Sequence, residues 1–307
     1  DGIGDTRECL SPPEYFIPNA AVEGCAATSW VQLSEMMLEI TGEAKYAHHA
    51  EQTILNNTMT AQHKEGLYGS YFLWFNTQNT QNIKNMNCCN SSRPRAFEEY
   101  ARHRVGIIEG GLSFSSLMPG HVDIPAELGG GKLVVSGNCP VAPNTTIKFE
   151  QTAGKKFAVE FCAPWNADLK SVAFNGQPVI PRKNARGFYS LEQVWKEGDK
   201  LDIAFSYPVR SWINSSPLLE KTFISFTYGP WVLGQKMGSD KEPFLCFDES
   251  MALKKIVRTN PDSQGIPVFQ IAGTSEELRP CFDVTGLDRS GVKAYFLFKN
   301  QSLSQAQ

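Results

Sequence analysis

The period of the sequence changes near residue 105, and that change limits the folds open to the chain. Before it, apolar residues recur at helical spacing in three segments. The first runs from about residue 23 to a stop signal at Gly42, with Trp30, Leu33, Met37 and Ile40 near helical spacing. The second runs from about 43 to 60, with Tyr46, Ala50, Ile54 and Leu55 on its apolar side. The third follows Cys88-Cys89, with Ser92 as its cap, Pro94 in its first turn, and Phe97, Tyr100 and Ala101 as its stripe. A strand or hairpin is expected at 71–75. After residue 105, strand-like runs fall at 106–117, 132–136, 146–151, 156–161, 171–174, 200–205, 222–228, 267–271 and 292–298. Breakers such as Gly129-Gly130-Gly131 and Asn175-Gly176 separate them. The pattern predicts an α+β multidomain chain: a helical part at 1–105, a β-sandwich at 106–235, and a β segment at 236–307 that completes or extends it. Three helices offer too few faces to bury one another, so helical partners are expected upstream. The opening Asp1-Gly2-Ile3-Gly4, with no Met and no signal peptide, also reads as cut from a longer protein.

Composition narrows the function classes. A formal net charge of −3 with no Lys/Arg cluster gives no footprint for nucleic acid. No apolar run approaches the ~20 residues of a membrane span. Sequons at Asn56, Asn90, Asn144, Asn214 and Asn300 point to a secreted glycoprotein or another secretory-pathway protein. The adjacent pair His48-His49 does not converge on a helix and is expected to be solvated surface. The first 22 residues, with Pro12-Pro13 and Pro18, read as an ordered loop carrying Asp5, Glu8 and Glu14.

Eight cysteines are too sparse for a disulfide scaffold at this length. Adjacent cysteines such as Cys88-Cys89 seldom bridge each other, because the small ring is strained. Glu23, Cys25, Cys88 and Cys89 together offer one carboxylate and three thiols, a sensible four-coordinate set for zinc. The spacing is not that of a standard structural zinc motif. On residues alone, a metal site, inert buried thiols and a disulfide all stay open. Glu23 and Cys25 can share a site only from the turn before the first helix, since a regular helix points them apart. Cys9, Cys139, Cys162, Cys246 and Cys281 are odd in number, so at least one stays free or bonds elsewhere.

The run Glu23-Gly24-Cys25-Ala26-Ala27-Thr28-Ser29-Trp30, the segment Leu38 to Ala47, and then Glu51 and Asn56 resemble glycoside hydrolase family 127, the β-L-arabinofuranosidase-like proteins. Asn87-Cys88-Cys89 with Ser92 and Pro94-Arg95 is similar to that family's cysteine-pair motif. Phe161-Cys162-Ala163-Pro164-Trp165, Val172 to Gly176, Gly187-Phe188-Tyr189, Trp195 to Asp199 and Tyr228 to Leu233 resemble its β-sandwich signatures. The resemblance implies the last helices of an (α/α)6 barrel followed by β-sandwich domains. It implies Zn2+ bound by Glu23, Cys25, Cys88 and Cys89, with Cys88 as nucleophile. Glu8 is the best match to the general acid/base, with Glu14 as the weaker one. The implied reaction is retaining hydrolysis of an L-arabinofuranoside-containing glycan or related furanoside. The first half of the barrel is not in this sequence, so a preceding segment or a second chain is expected to complete the pocket. The Asn90 sequon beside Cys89 and the missing half-barrel favour the alternative, an inactive structural or carbohydrate-binding extracellular protein that retains the fold. An assembly module built on the β-sandwiches is a further alternative.

Overall fold

A computed structural model describes residues 3–4, 20–62, 69–77, 88–237, 246–247, 253–263, 265–284 and 293–300. The chain is α+β, with few helices and several sheets. Three helices carry the account: α1 (Gly24–Thr41), α2 (Ala44–Thr53) and α3 (Cys88–Arg102). The chain divides into two compact units, one of residues 1–32, 52–97 and 209–307, the other of 33–51 and 98–208. Among the described residues no helix is long and apolar enough to cross a membrane.

In the second unit, a five-stranded sheet has the order Arg182–Lys183, Tyr189–Val194, Lys156–Phe161, Gly111–Phe114, Val105–Ile108. A six-stranded sheet has the order Gln177–Val179, Asp168–Phe174, Lys200–Ser206, Asn144–Thr152, Gly131–Gly137, Gly120–Ile124. Alternation of buried and exposed residues along Asn144–Thr152 and Lys200–Ser206 is what period 2 requires of strands with one covered face. Trp195 is fully buried among aromatics of both sheets. It stacks on Phe149 at 4.4 Å and meets Phe157 at 6.1 Å, and its indole N–H donates to Phe157 O at 2.9 Å. The expected run 106–117 is a hairpin, Val105–Ile108 and Gly111–Phe114, turning at Gly110 with φ +72°.

The loop after Lys156–Phe161 receives α2. Cys162 packs with Ala44, Ala47 and Phe188, and the buried Glu51 accepts a hydrogen bond from Trp165 N at 2.6 Å. His48 Nε2 lies 3.0 Å from Ala163 O and 3.2 Å from Cys162 Sγ. His48 is therefore not the solvated surface residue its position suggested. Residues 115 positions away cover it, and burial pushes its pKa down. Two segments that carry the family resemblance, around Glu51 and around Cys162, are thus the two sides of one docking contact.

Helix α1 ends as its sequence implies: Gly42 takes φ +66° and its N–H bonds to Leu38 O at 2.7 Å. Its covered side differs from expectation. Leu33 is 48% exposed and Ile40 74%, while Ala27, Val31, Ser34 and Glu35 are buried. Small side chains permit close approach, and the large apolar ones point outward. Helix α3 likewise buries Ala96 and Tyr100 but leaves Ala101 exposed.

In the first unit a larger sheet runs Cys246–Phe247, Phe298–Asn300, Lys221–Tyr228, Trp231–Met237, Glu277–Pro280, Phe269–Ile271, Ile256–Arg258. Val209–Ser216, outside the expected runs, pairs with Lys221–Tyr228 along its whole length and keeps Trp212 and Ile213 partly exposed. Beyond α2 the helix widens into a π turn, Ile54–Thr58, closed by Met59 N to Ile54 O at 2.9 Å. That turn presents two asparagines. Asn56 donates to Pro230 O and accepts from Val232 N, both at 2.8 Å, which fastens the helix to the Trp231 strand. Both ends of its amide are used by the fold. Leu55, Trp231, Cys281, Val284 and Phe296 form the core beside it.

Candidate active site

The site forms where three stretches of the first unit meet. The strand Ala21–Glu23 pairs antiparallel with Phe72–Trp74, in the register Glu23 opposite Phe72. The chain turns directly from that strand into α1, and Gly24 N donates to Tyr71 O at 2.9 Å. Glu23 is thus the last strand residue and Cys25 the second residue of the helix. This junction resolves the geometric demand that the E-x-C spacing raised, since only a break in the helix lets both side chains face one point.

Cys88 and Cys89 are the first two residues of α3. The expected start at Ser92 is corrected: Ser92 is buried inside the helix, and its Oγ lies 3.3 Å from Cys25 Sγ. Pro94 sits beyond the first turn, where it withholds one N–H from the helix. The earlier start places both cysteines at the helix N-terminus, whose unpaired N–H groups favour thiolate. Cys25 occupies the same position on α1, so two helix N-termini face the cluster.

One ligand atom from each of Glu23, Cys25, Cys88 and Cys89 lies within 4.8 Å of all the others. Cys25 Sγ is 3.6 Å from Cys89 Sγ, and Cys89 Sγ is 3.7 Å from Glu23 Oε1. Zinc bonded to thiolates at about 2.3 Å in a tetrahedral shell sets sulfurs about 3.8 Å apart. The donor set and its spacing fit such an ion, and no other group of three or more such ligands converges among the described residues.

The three thiols differ. Burial and the neighbouring thiol push Cys89 strongly up, and burial raises Cys25. Cys88 is exposed, and its pKa is lowered, chiefly by the Tyr71 hydroxyl 3.5 Å from its sulfur. Cys88 is therefore the thiol of the three most available as a nucleophile. Tyr71 belongs to no site motif in the sequence; it opens the run 71–75, which reads as a strand or hairpin. Cys139, Cys162 and Cys281 are buried, with pKa values raised by burial, as inert thiols are. Glu8 and Glu14 lie outside the described residues, as do the side chains of Cys9, Cys246 and Asn300.

Family models match most of the chain. The beta-L-arabinofuranosidase GH127 catalytic domain matches residues 2–102, and the GH127 middle domain matches residues 118–208. No curated protein matches the sequence. A GH127 beta-L-arabinofuranosidase from Geobacillus stearothermophilus T6 superposes with a TM-score of 0.73 at 15% identity, over 94% of this chain and 51% of that one. A structure described as a glycoside hydrolase gives 0.72 at 16% identity, over 93% and 54%. A GH127 beta-arabinofuranosidase gives 0.68 at 17% identity, over 93% and 51%. The chain spans about half the length of these structures.

Proposed function

Because the chain belongs to glycoside hydrolase family 127, we propose that it carries the cysteine half of a retaining glycosidase acting on β-L-arabinofuranosides in a glycan. The observation that carries this reading is the convergence of Glu23, Cys25, Cys88 and Cys89 with Cys88 alone exposed. These four residues would hold zinc, which when bound keeps its thiol ligands deprotonated near neutral pH. The helical part at 1–105 is the end of an (α/α)6 barrel, followed by a β-sandwich at 106–235 and a β segment at 236–307 that completes or extends it. A preceding segment or a second chain supplies the other side of the sugar pocket.

In the proposed reaction the Cys88 thiolate attacks the anomeric carbon as the bond to the leaving oxygen breaks. Glu8, protonated, gives its proton to that oxygen. The same carboxylate then takes a proton from water, whose oxygen displaces Cys88 from the anomeric carbon. Two displacements return the original configuration. Tyr71 stands beside the sulfur and orients it.

The test is hydrolysis of p-nitrophenyl β-L-arabinofuranoside by the full-length protein. Turnover with retention is expected, and Glu8→Gln should cost ~10²–10⁴-fold. Zero turnover by the unaltered protein overturns the enzyme reading, and zinc without turnover assigns the site a structural role.

A further inference from the structure

Arg93 is the buried charge that the cysteine chemistry leaves unexplained. It lies on α3 behind Cys89, and its side chain threads between two glycines. A Cβ on Gly24 would come within 2.9 Å of both Arg93 Nε and Cys89 Cβ, and a Cβ on Gly69 within 2.6 Å of Arg93 Cδ. Either methyl would have to displace the arginine, which gives both positions a reason to be glycine. The same contact puts the guanidinium and the Cys89 side chain no further apart than twice the Gly24 distance. Nε donates to Ser70 O and Nη1 to Asn57 Oδ1, each at 2.9 Å. Nη2 is buried and has no hydrogen-bond partner among the described residues.

A plain structural arginine would be explained by its two hydrogen bonds. Two features go beyond that. Burial pushes this guanidinium's pKa down to about 10, and among the described residues the ionisable groups that act against burial are the thiols of Cys89 and Cys25, not a carboxylate. An unpaired buried N–H is costly, so Nη2 calls for an acceptor that the described residues around it do not provide. Thiolate ligands in a loaded site would set negative charge beside this guanidinium. One carboxylate and three thiolates around a dication leave two net negative charges, which a buried cation offsets.

The geometry points to Arg93 as the positioning residue of the cysteine centre: it locks the starts of α1 and α3 against Ser70 and the π turn, and supplies the counter-charge behind the thiolates. This rests on the metal reading of the site. Asn57 then has a role too, holding the guanidinium through Nη1, and the π turn is the device that brings Asn57 to it.

The experiment measures zinc affinity by chelator competition, and the thiolate-to-cobalt absorption band after Co2+ substitution, on the full-length protein. Folding is checked by circular dichroism. Arg93→Met should lower zinc affinity ~10–100-fold, the usual cost of losing a group behind the ligands, and shift the cobalt band. Arg93→Lys, which restores the charge without the fork, should recover part of the affinity. Arg93→Gln keeps an amide donor but no charge, so it serves if the Met variant fails to fold, and its affinity should also fall. A folded uncharged variant with unchanged affinity and an unchanged band overturns the proposal. If the unaltered protein itself binds no zinc, the metal reading fails first, and the Arg93 proposal falls with it.

Discussion

Cys88→Ser should reduce hydrolysis of an aryl β-L-arabinofuranoside by at least ~10⁴-fold, as loss of a covalent nucleophile does elsewhere. Cys89→Ser is the informative comparison, because both substitutions replace one sulfur of the same cluster. Cys89 is buried behind Cys88 and faces Glu23 and Cys25, so its loss acts through the site's hold on a metal. Excess zinc should restore part of the activity of Cys89→Ser and none of that of Cys88→Ser. Steady-state rates with and without added zinc check this. Equal rescue of both variants would remove Cys88 from the nucleophile's role and leave it a ligand only.

Alkaline stability should rise in Glu35→Gln. Glu35 is 1% exposed, and one carboxylate oxygen has no hydrogen-bond partner among the described residues. Burial, with Glu39 one turn along α1 and Glu99 on α3, pushes its pKa up to about 8. His103 stands beside both carboxylates, with Nε2 3.1 Å from Glu39 Oε1 and Nδ1 3.8 Å from Glu99 Oε2. Glu51 is raised to about 7 by burial, against the hydrogen bond it accepts from Trp165. Both groups bind a proton more tightly folded than unfolded. Their stabilisation is complete below the ordinary carboxylate pKa of about 4.3 and is lost as pH rises through about 7 and about 8. His48, lowered by burial, has the opposite sign and withdraws stability on the acid side. Glu35→Gln removes one carboxyl from this balance. It should gain ~4 kcal/mol at pH 9 relative to its effect at pH 5, at about 1.4 kcal/mol per pKa unit. Urea titrations at the two pH values read the difference directly, and equal effects at both would show that Glu35 titrates normally.

How much of this was legible in the sequence depended on range. The end of α1 at Gly42 was readable because a glycine with positive φ closes the helix locally. The run 156–161 and its neighbours were readable because alternation is a local property. The covered faces of α1 and α3 were not, because what decides them is the element packed there. Leu33 and Ile40 have the spacing of a core face, yet it is Ala27, Val31 and Glu35 that are covered. The start of α3 misled for a related reason. Ser92 and Pro94 are good cap signals, but packing against Cys25 places Ser92 inside the helix and moves the start back to Cys88. His48 was misjudged because its partners, Cys162 and Ala163, lie more than a hundred residues away. The four metal-ligand candidates were named from residue type and family resemblance together, and the structure brings them to one point. Arg93 and Tyr71 escaped because neither belongs to a motif; only the fold sets them beside the sulfurs.

Metal content of the full-length protein, by elemental analysis, tests whether Glu23, Cys25, Cys88 and Cys89 form a zinc centre. One zinc per chain is expected, falling well below that in Cys25→Ser and Cys89→Ser while the fold is kept. A folded, unaltered protein that contains no zinc and takes up none would contradict it.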